Sequence, residues 1–213
     1  MSNLFAFNDY NVTKIRTRFP SLTIKDDGAN RIYLDNPGGT QICQSSLDQI
    51  QNYFLRNNAN SGGTFRTSLE TDAVLLKTRV AMSEFLNAAT EKEIVFGQNM
   101  TSLTFAISHS LTQWVKPEHE IIVTRLDHDA NIAPWLQLSD ETGAKIRWVD
   151  FDPRDCTLNL KNFEKLLTNK TQLVAVGYAS NSVGTINPIE EIAAMAHSVG
   201  ALVFVDAVQY APH

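Results

Sequence analysis

An α/β fold built on a mostly parallel sheet is the class this 213-residue sequence predicts, and three features predict it. From Ile94 onward, short β-rich apolar runs alternate with helical stretches. Several of those runs, Leu173-Val174-Ala175-Val176 above all, are apolar at every position, as expected of strands covered on both faces by helices. The chain is 43% hydrophobic and 19% charged, a balance that supports a buried core. A three-layer α/β/α arrangement follows.

Taken in order, the first thirty residues are polar and mixed in charge, with Phe19-Pro20 breaking any helix and Asp26-Asp27-Gly28 marking a turn. Residues 1–30 are therefore expected to form an N-terminal arm, and 31–213 a large domain. Ile32 to Leu34 predicts a short strand, stopped by Asp35-Asn36-Pro37-Gly38-Gly39. Leu47, Ile50 and Phe54 share a helical face in a helix from Ser45 to about Arg56. Leu69, Ala73, Leu76 and Val80 share one in a second, longer amphipathic helix. Five further strands are expected at Ile94–Phe96, Ile121–Thr124, Ile146–Phe151, Leu173–Tyr178 and Leu202–Val205. Helices are expected at Thr101–Val115, Ala130–Glu141, Leu160–Leu167 and Ile189–Val199. The last carries the fullest signature: Asn187 as cap, Pro188 at the first helical position, Glu190 completing a capping box and Gly200 after the end.

Composition excludes several functions. The formal net charge of −5 and pI near 5.5 leave no basic field for nucleic acid or an anionic membrane. Apolar runs such as Ala201–Val205 are far short of the roughly 18 residues of a spanning helix. Met1–Tyr10 lacks the features of a secretory signal, which makes the cytoplasm the expected compartment. Cys43 and Cys156 are too few and too far apart for a disulfide framework or a metal clip.

In open α/β sheets ligands bind beyond the carboxyl ends of the strands, so the turns after each strand are the places to search. After Ile94–Phe96 comes Gly97-Gln98-Asn99-Met100-Thr101-Ser102, a polar turn opening a helix, suited either to an ordinary cap or to a phosphate. After Ile121–Thr124, His128 lies between Asp127 and Asp129. It suits acid–base work or stacking on a planar group, whereas the splayed flanking carboxylates and the lack of a nearby second histidine disfavour a metal. After Leu173–Tyr178 comes Asn181, a turn former or a hydrogen-bond donor to a ligand. Asp206 ends the last strand, followed by Gln209. A carboxylate there requires a cationic partner or donors, and no Lys or Arg follows it. A protonated pyridine nitrogen, as in pyridoxal phosphate, is such a cation.

These motifs carry a resemblance. Tyr33-Leu34-Asp35-Asn36-Pro37-Gly38-Gly39-Thr40, Asn58-Ala59-Asn60, the strand Ile94–Phe96 with its turn to Thr101, Asp127 to Trp135, Ser180 to Pro188 and Val205 to Gln209 appear in order. Together they resemble the class V aminotransferase group of fold-type I pyridoxal-phosphate (PLP) enzymes, and within it the cysteine desulfurase and selenocysteine lyase branch. The resemblance implies that Asp206 pairs with the pyridine nitrogen and Gln209 with the phenolic oxygen. His128 would stack on the ring and assist proton transfer, and Thr101 with the backbone of Asn99 and Met100 would hold the phosphate. Asn181 would lie near the substrate carboxylate and the cofactor oxygen, with Asn36 as a further substrate contact; Arg66 is either a solvated loop arginine or a bidentate contact to the substrate carboxylate. An amino-acid substrate and a homodimer are implied for the intact enzyme.

Two departures are visible. Asn99-Met100-Thr101-Ser102 replaces the usual Gly-Thr-Thr-Glu, and Ser61-Gly62-Gly63 stands where many desulfurases carry His-Arg-Gly. In the family the Schiff-base lysine follows the pyridine-binding Asp, yet all nine lysines here, Lys14 to Lys170, precede Asp206. The expectation is an incomplete large domain, an N-terminal fragment inactive by itself. A non-catalytic protein of the same fold is one rival. A nucleotide-binding module is another, weakened because Pro37-Gly38-Gly39 lacks the GxGxxG spacing.

Overall fold

The computed structural model describes residues 11–213, which divide into two compact units, a first that ends at Val95 and a second, Phe96–His213. The start of the expected arm, and the region expected to lack a secretory signal, lie outside the described residues.

In the first unit, Asn11 caps α1 (Val12–Arg16) by accepting from the Lys14 amide. The turn expected at Asp26–Gly28 joins β1 (Lys25–Asp26) to β2 (Ala29–Asn30). Asp27 and Gly28 both have positive φ, +51° and +84°, the two-residue hairpin geometry that matches strand twist. Arg31 closes the hairpin with two hydrogen bonds to Asp26, at 2.8 and 2.7 Å. The strand expected at Ile32–Leu34 does not form. Ile32 and Leu34 are exposed, and a short 3₁₀ turn at Asn36–Gly38 follows them. Helices α2 (Gln44–Arg56) and α3 (Arg66–Leu86) appear where periodicity placed them. Their stripes behave differently from expectation: Leu69, Ala73, Leu76 and Val80 are exposed, and α3 buries Ser68, Thr71 and Ser83. Periodicity identifies residues sharing a face and carries no information on what covers it. Between α2 and α3, Ser68 Oγ accepts from the Gly63 amide and donates to the Asn60 carbonyl, at 2.7 and 2.6 Å, which pins the loop.

The second unit contains, in order, α4 (Met100–Ser110), β3 (Glu120–Thr124), α5 (Ala133–Thr142), β4 (Lys145–Val149), β5 (Phe151–Asp152), β6 (Thr157–Leu158), α6 (Leu160–Leu166), β7 (Thr171–Gly177), α7 (Ile189–Ser198) and β8 (Leu202–Asp206). A parallel sheet of order β4-β3-β7-β8 forms its centre, and β5 and β6 make a small antiparallel hairpin beside it. Alternation along the strands divides the core. Ile122, Val174 and Val176 pack with Phe163 of α6 and with Ile192 and Ala196 of α7 on one face. Ile121, Val123, Leu173 and Ala175 pack with Trp135 and Leu138 of α5 on the other. Helices on both faces are the reason these strands are apolar at successive positions. The expected three-layer α/β/α architecture is thus present.

Two expectations are corrected here. Ile94–Phe96 pairs with no strand among the described residues, and Val95 and Phe96 are exposed; a β-rich tripeptide without a ladder partner has no reason to be a strand. Asn187 does not cap α7. Pro188 occupies the cap position, and the Asn187 amide instead donates to the Gly177 carbonyl at 2.7 Å, tying the loop back to the end of β7. Gly200, with φ +82°, follows the helix as expected.

Candidate active site

The sheet order creates a switch point. From β3 the chain moves to β4 on one side, then returns to place β7 on the other, so the connections after β3 and β7 diverge and open a crevice at their carboxyl ends. The loops that follow these two strands line an open cavity of about 420 Å³, which includes Arg125, Asp127, His128, Cys156, Ser180 and Asn181. His128 and Asn181, separated by 53 positions in the chain, are brought together there.

His128 is exposed, and its Nδ1 accepts from the Ala130 amide at 3.0 Å, capping the 3₁₀ turn Asp129–Asn131. That bond assigns the neutral ring's proton to Nε2 and leaves the imidazole face free for a planar group. The Asn181 side chain is half-buried and makes no hydrogen bond within the described residues. At the end of β8, Asp206 is half-buried, and its Oδ1 accepts from the Val208 amide at 3.0 Å. Gln209 lies in the following turn, half-buried. Beside it, Tyr210 stacks on Tyr178 with ring centroids 3.7 Å apart.

At the start of α4, Asn99 Oδ1 accepts from the Ser102 amide at 2.8 Å. The amides of Met100 and Thr101 have no acceptor among the described residues, and the Thr101 hydroxyl is exposed. Asn36 and Arg66 belong to the first unit. Arg66 is paired with Glu70 at 2.9 Å on an exposed helical turn, and Asn36 is exposed in its 3₁₀ turn.

Asp127 is a site residue that motif reading missed. Its Oδ1 accepts from Asn131 Nδ2 at 3.0 Å and its Oδ2 accepts from the Thr124 hydroxyl. Asn131 is fully buried, and its Oδ1 accepts from the indole Nε1 of Trp135 at 3.1 Å. An indole only donates, so the Asn131 oxygen must face it, and the amide NH₂ is thereby turned toward Asp127. Burial, with a smaller contribution from the like charge of Asp206, raises the Asp127 carboxyl to about 6 against the pull of the Thr124 and Asn131 hydrogen bonds. A β-carbon on Gly177 would stand 2.7 Å from Asp127 Oδ1, so only glycine admits the carboxyl here. The sequence did hold a signal: Asp127, Asn131 and Trp135 recur at i, i+4, i+8, and Gly177 directly follows the apolar run Leu173–Val176.

The two ends of the sheet differ in how they treat buried acids. At the amino end, buried Glu120 accepts two hydrogen bonds from Arg147, at 3.0 and 2.8 Å, and one from Thr168 at 2.9 Å. At the carboxyl end no cation is paired with Asp127 or Asp206 among the described residues. Arg125, which lines the cavity, is bound to Asp150 at 2.8 Å and lies 4.7 Å from the centre of the Trp148 ring.

The fold and this crevice define an α/β enzyme domain of fold-type I. Residues 32–213 match the model of the aminotransferase class-V family, and the chain belongs to that family. A probable cysteine desulfurase of Synechocystis is 35% identical over 93% of this chain and 48% of its own length. One from Streptomyces coelicolor is 37% identical over 93% and 49%. An aminotransferase-like protein of Gibberella zeae is 34% identical over 97% and 51%. Among solved structures, a cysteine desulfurase from Thermococcus onnurineus superposes with a TM-score of 0.83 at 26% identity, covering all of this chain and 50% of that one. The Escherichia coli desulfurase CsdA gives 0.81 at 26%, covering 96% and 50%. The chain spans about half the length of the relatives it matches. No helix among the described residues is long and apolar enough to cross a membrane.

Proposed function

We propose that this chain provides the cofactor-binding part of a cytoplasmic, homodimeric PLP-dependent enzyme acting on an amino acid, with cysteine desulfuration as the reaction. One observation carries the reading: two carboxyls, Asp127 and Asp206, lie close enough to repel one another at the carboxyl end of a parallel sheet, with no cation paired with either among the described residues. A cofactor with a protonated ring nitrogen fits that donor set. When bound, PLP supplies an electron sink for charge developing at the substrate α-carbon.

In this reading Asp206 holds the ring nitrogen in its charged form, because a carboxylate beside a cation stabilises it. Gln209 donates to the phenolic oxygen. His128 presents its free face to the ring and carries a proton on Nε2. The unpaired amides of Met100 and Thr101, with the Thr101 hydroxyl and the backbone of Asn99, receive the phosphate at the positive end of α4. Asn181 orients the substrate carboxylate. Asn36 and Arg66 are assigned to substrate recognition as well, with the Arg66–Glu70 pair opening to free the guanidinium. Residues 31–213 are assigned to part of a PLP-binding large domain, preceded by an arm at residues 1–30.

The lysines of the second unit bear on turnover. Lys116, Lys145 and Lys170 lie at the amino-terminal side of the sheet, and Lys161 and Lys165 are exposed on α6. The 213-residue chain is therefore expected to bind PLP without turning over cysteine. The test is a PLP titration followed by absorbance and Trp quenching, then borohydride reduction and peptide mapping. Saturable binding lost in Asp206→Ala supports the reading. Binding unchanged in that variant, or a stoichiometric adduct at one lysine, overturns it.

A further inference from the structure

The motifs that placed His128 and Asp206 left Asp127 without a role, although both of its carboxyl oxygens accept side-chain hydrogen bonds. Three features hold it: the Thr124 hydroxyl, the Asn131 amide oriented by Trp135, and the slot left by the missing side chain of Gly177. Gly177 is the register partner of Asp206 across β7 and β8, so the slot that admits Asp127 opens beside the Asp206 strand end. We propose that Asp127 is a positioning residue that works as a pair with Asp206, its clamped carboxyl doubling the negative field at the switch point so that one external cation is held by two acids. The proposal rests on the cofactor reading above for the identity of that cation, the protonated ring nitrogen of PLP, and extends it by assigning the second acid.

The surroundings agree. From β8 the charged group facing Asp127 is Asp206, which repels it. From β3 and β7 the facing groups are Thr124 and Gly177, both uncharged. On its own loop, Arg125 is committed to Asp150 and Trp148, His128 Nδ1 accepts from the Ala130 amide, and Asp129 is exposed. Two carboxylates in a half-buried crevice repel one another, and a cation held between them adds two attractions that outweigh the repulsion. The alternative is an anchor: Asp127 fixing the 3₁₀ turn that carries His128, with no influence on ligand charge.

The test uses the 213-residue chain with ¹³C-labelled Asp carboxyls. The titration midpoint of Asp127, about 6 in the wild type, is expected to fall by roughly half a unit or more in Asp206→Asn, with Asp206→Ser as a second variant should the first not fold. An unchanged midpoint in a folded variant overturns the pairing. The second arm compares binding of PLP with that of its deaza analogue, in which carbon replaces the ring nitrogen. Asp127→Asn is expected to weaken PLP about tenfold, as loss of one opposite charge near a cation does, and to leave the analogue unaffected. Equal weakening of both ligands makes Asp127 an anchor and overturns the proposal. If the wild-type chain binds neither ligand, the cofactor reading fails, and the titration still decides whether the two acids are paired.

Discussion

The two units use their apolar residues in opposite ways. In the second, a parallel sheet and its helices enclose Ile121, Ile122, Val123, Val174, Val176 and Trp135, all at 1% exposure or less. In the first, α2 and α3 are well formed, yet Ile50, Phe54, Leu69 and Leu76 are each more than half exposed. A strand buried on both faces acquires its core from its own sheet and crossover helices, which follow at once in sequence. A helix stripe has no such local partner. The contrast teaches that the candidate site stands on the unit whose packing is self-contained.

The largest way to sharpen that contrast is truncation in each unit. Trp135→Ala removes a fully buried ring that packs edge-on to Phe204 at 5.0 Å and orients Asn131. It is expected to destabilise the second unit by about 3–5 kcal/mol. Leu76→Ala, at a position 54% exposed, is expected to change stability by only about 0.5 kcal/mol. Urea unfolding followed by hydrogen exchange in each unit measures both; equal effects would erase the comparison.

Next in size is the pH dependence of the second unit. The Asp127 carboxyl is raised in the folded chain to about 6 from an ordinary 3.8. Below about pH 4 the group is protonated in both folded and unfolded states. Between the two values the folded state keeps a proton that the unfolded state has released, so stability falls as pH rises through this window and levels off above it. A shift of about two units corresponds to roughly 3 kcal/mol. Unfolding free energies at pH 4 and pH 7.5 are expected to show this decline in the wild type, and Asp127→Asn is expected to flatten it.

Gly177→Ala comes third. Its new methyl would meet Asp127 Oδ1 at 2.7 Å, and the carboxyl or the strand end must move, at about 1–3 kcal/mol. The same denaturation series reads it, and an indifferent Gly177→Ala would show that Asp127 is loosely held. Last is Asn99→Ala, which leaves the Ser102 amide at the start of α4 uncapped and is expected to lower stability by about 1 kcal/mol.

How much was visible beforehand can be argued residue by residue. β7 was legible because four successive apolar residues suit a two-sided strand, and α7 because Gly200 marks its end. His128, Asn181 and Asp206 were legible because each follows an apolar run. Ile94–Phe96 has the same local character as β3, yet it lacks a neighbour to pair with, and strand formation is a property of the pair. Asn187 was mistaken for a cap because a capping residue and a residue reaching back to a carbonyl look the same in one dimension. Asp127 was set aside because its value comes from Gly177 and Asp206, 50 and 79 positions away.

Periodicity and apolar runs are local, and they suffice for the class of fold, most helices and strands of the second unit, and the turns that bear the site. Which acid lacks a cation, which glycine must be a glycine and which helix face stays uncovered depend on groups distant in the chain. Electrostatic repulsion, desolvation and steric contact act through space, so only the folded arrangement decided them.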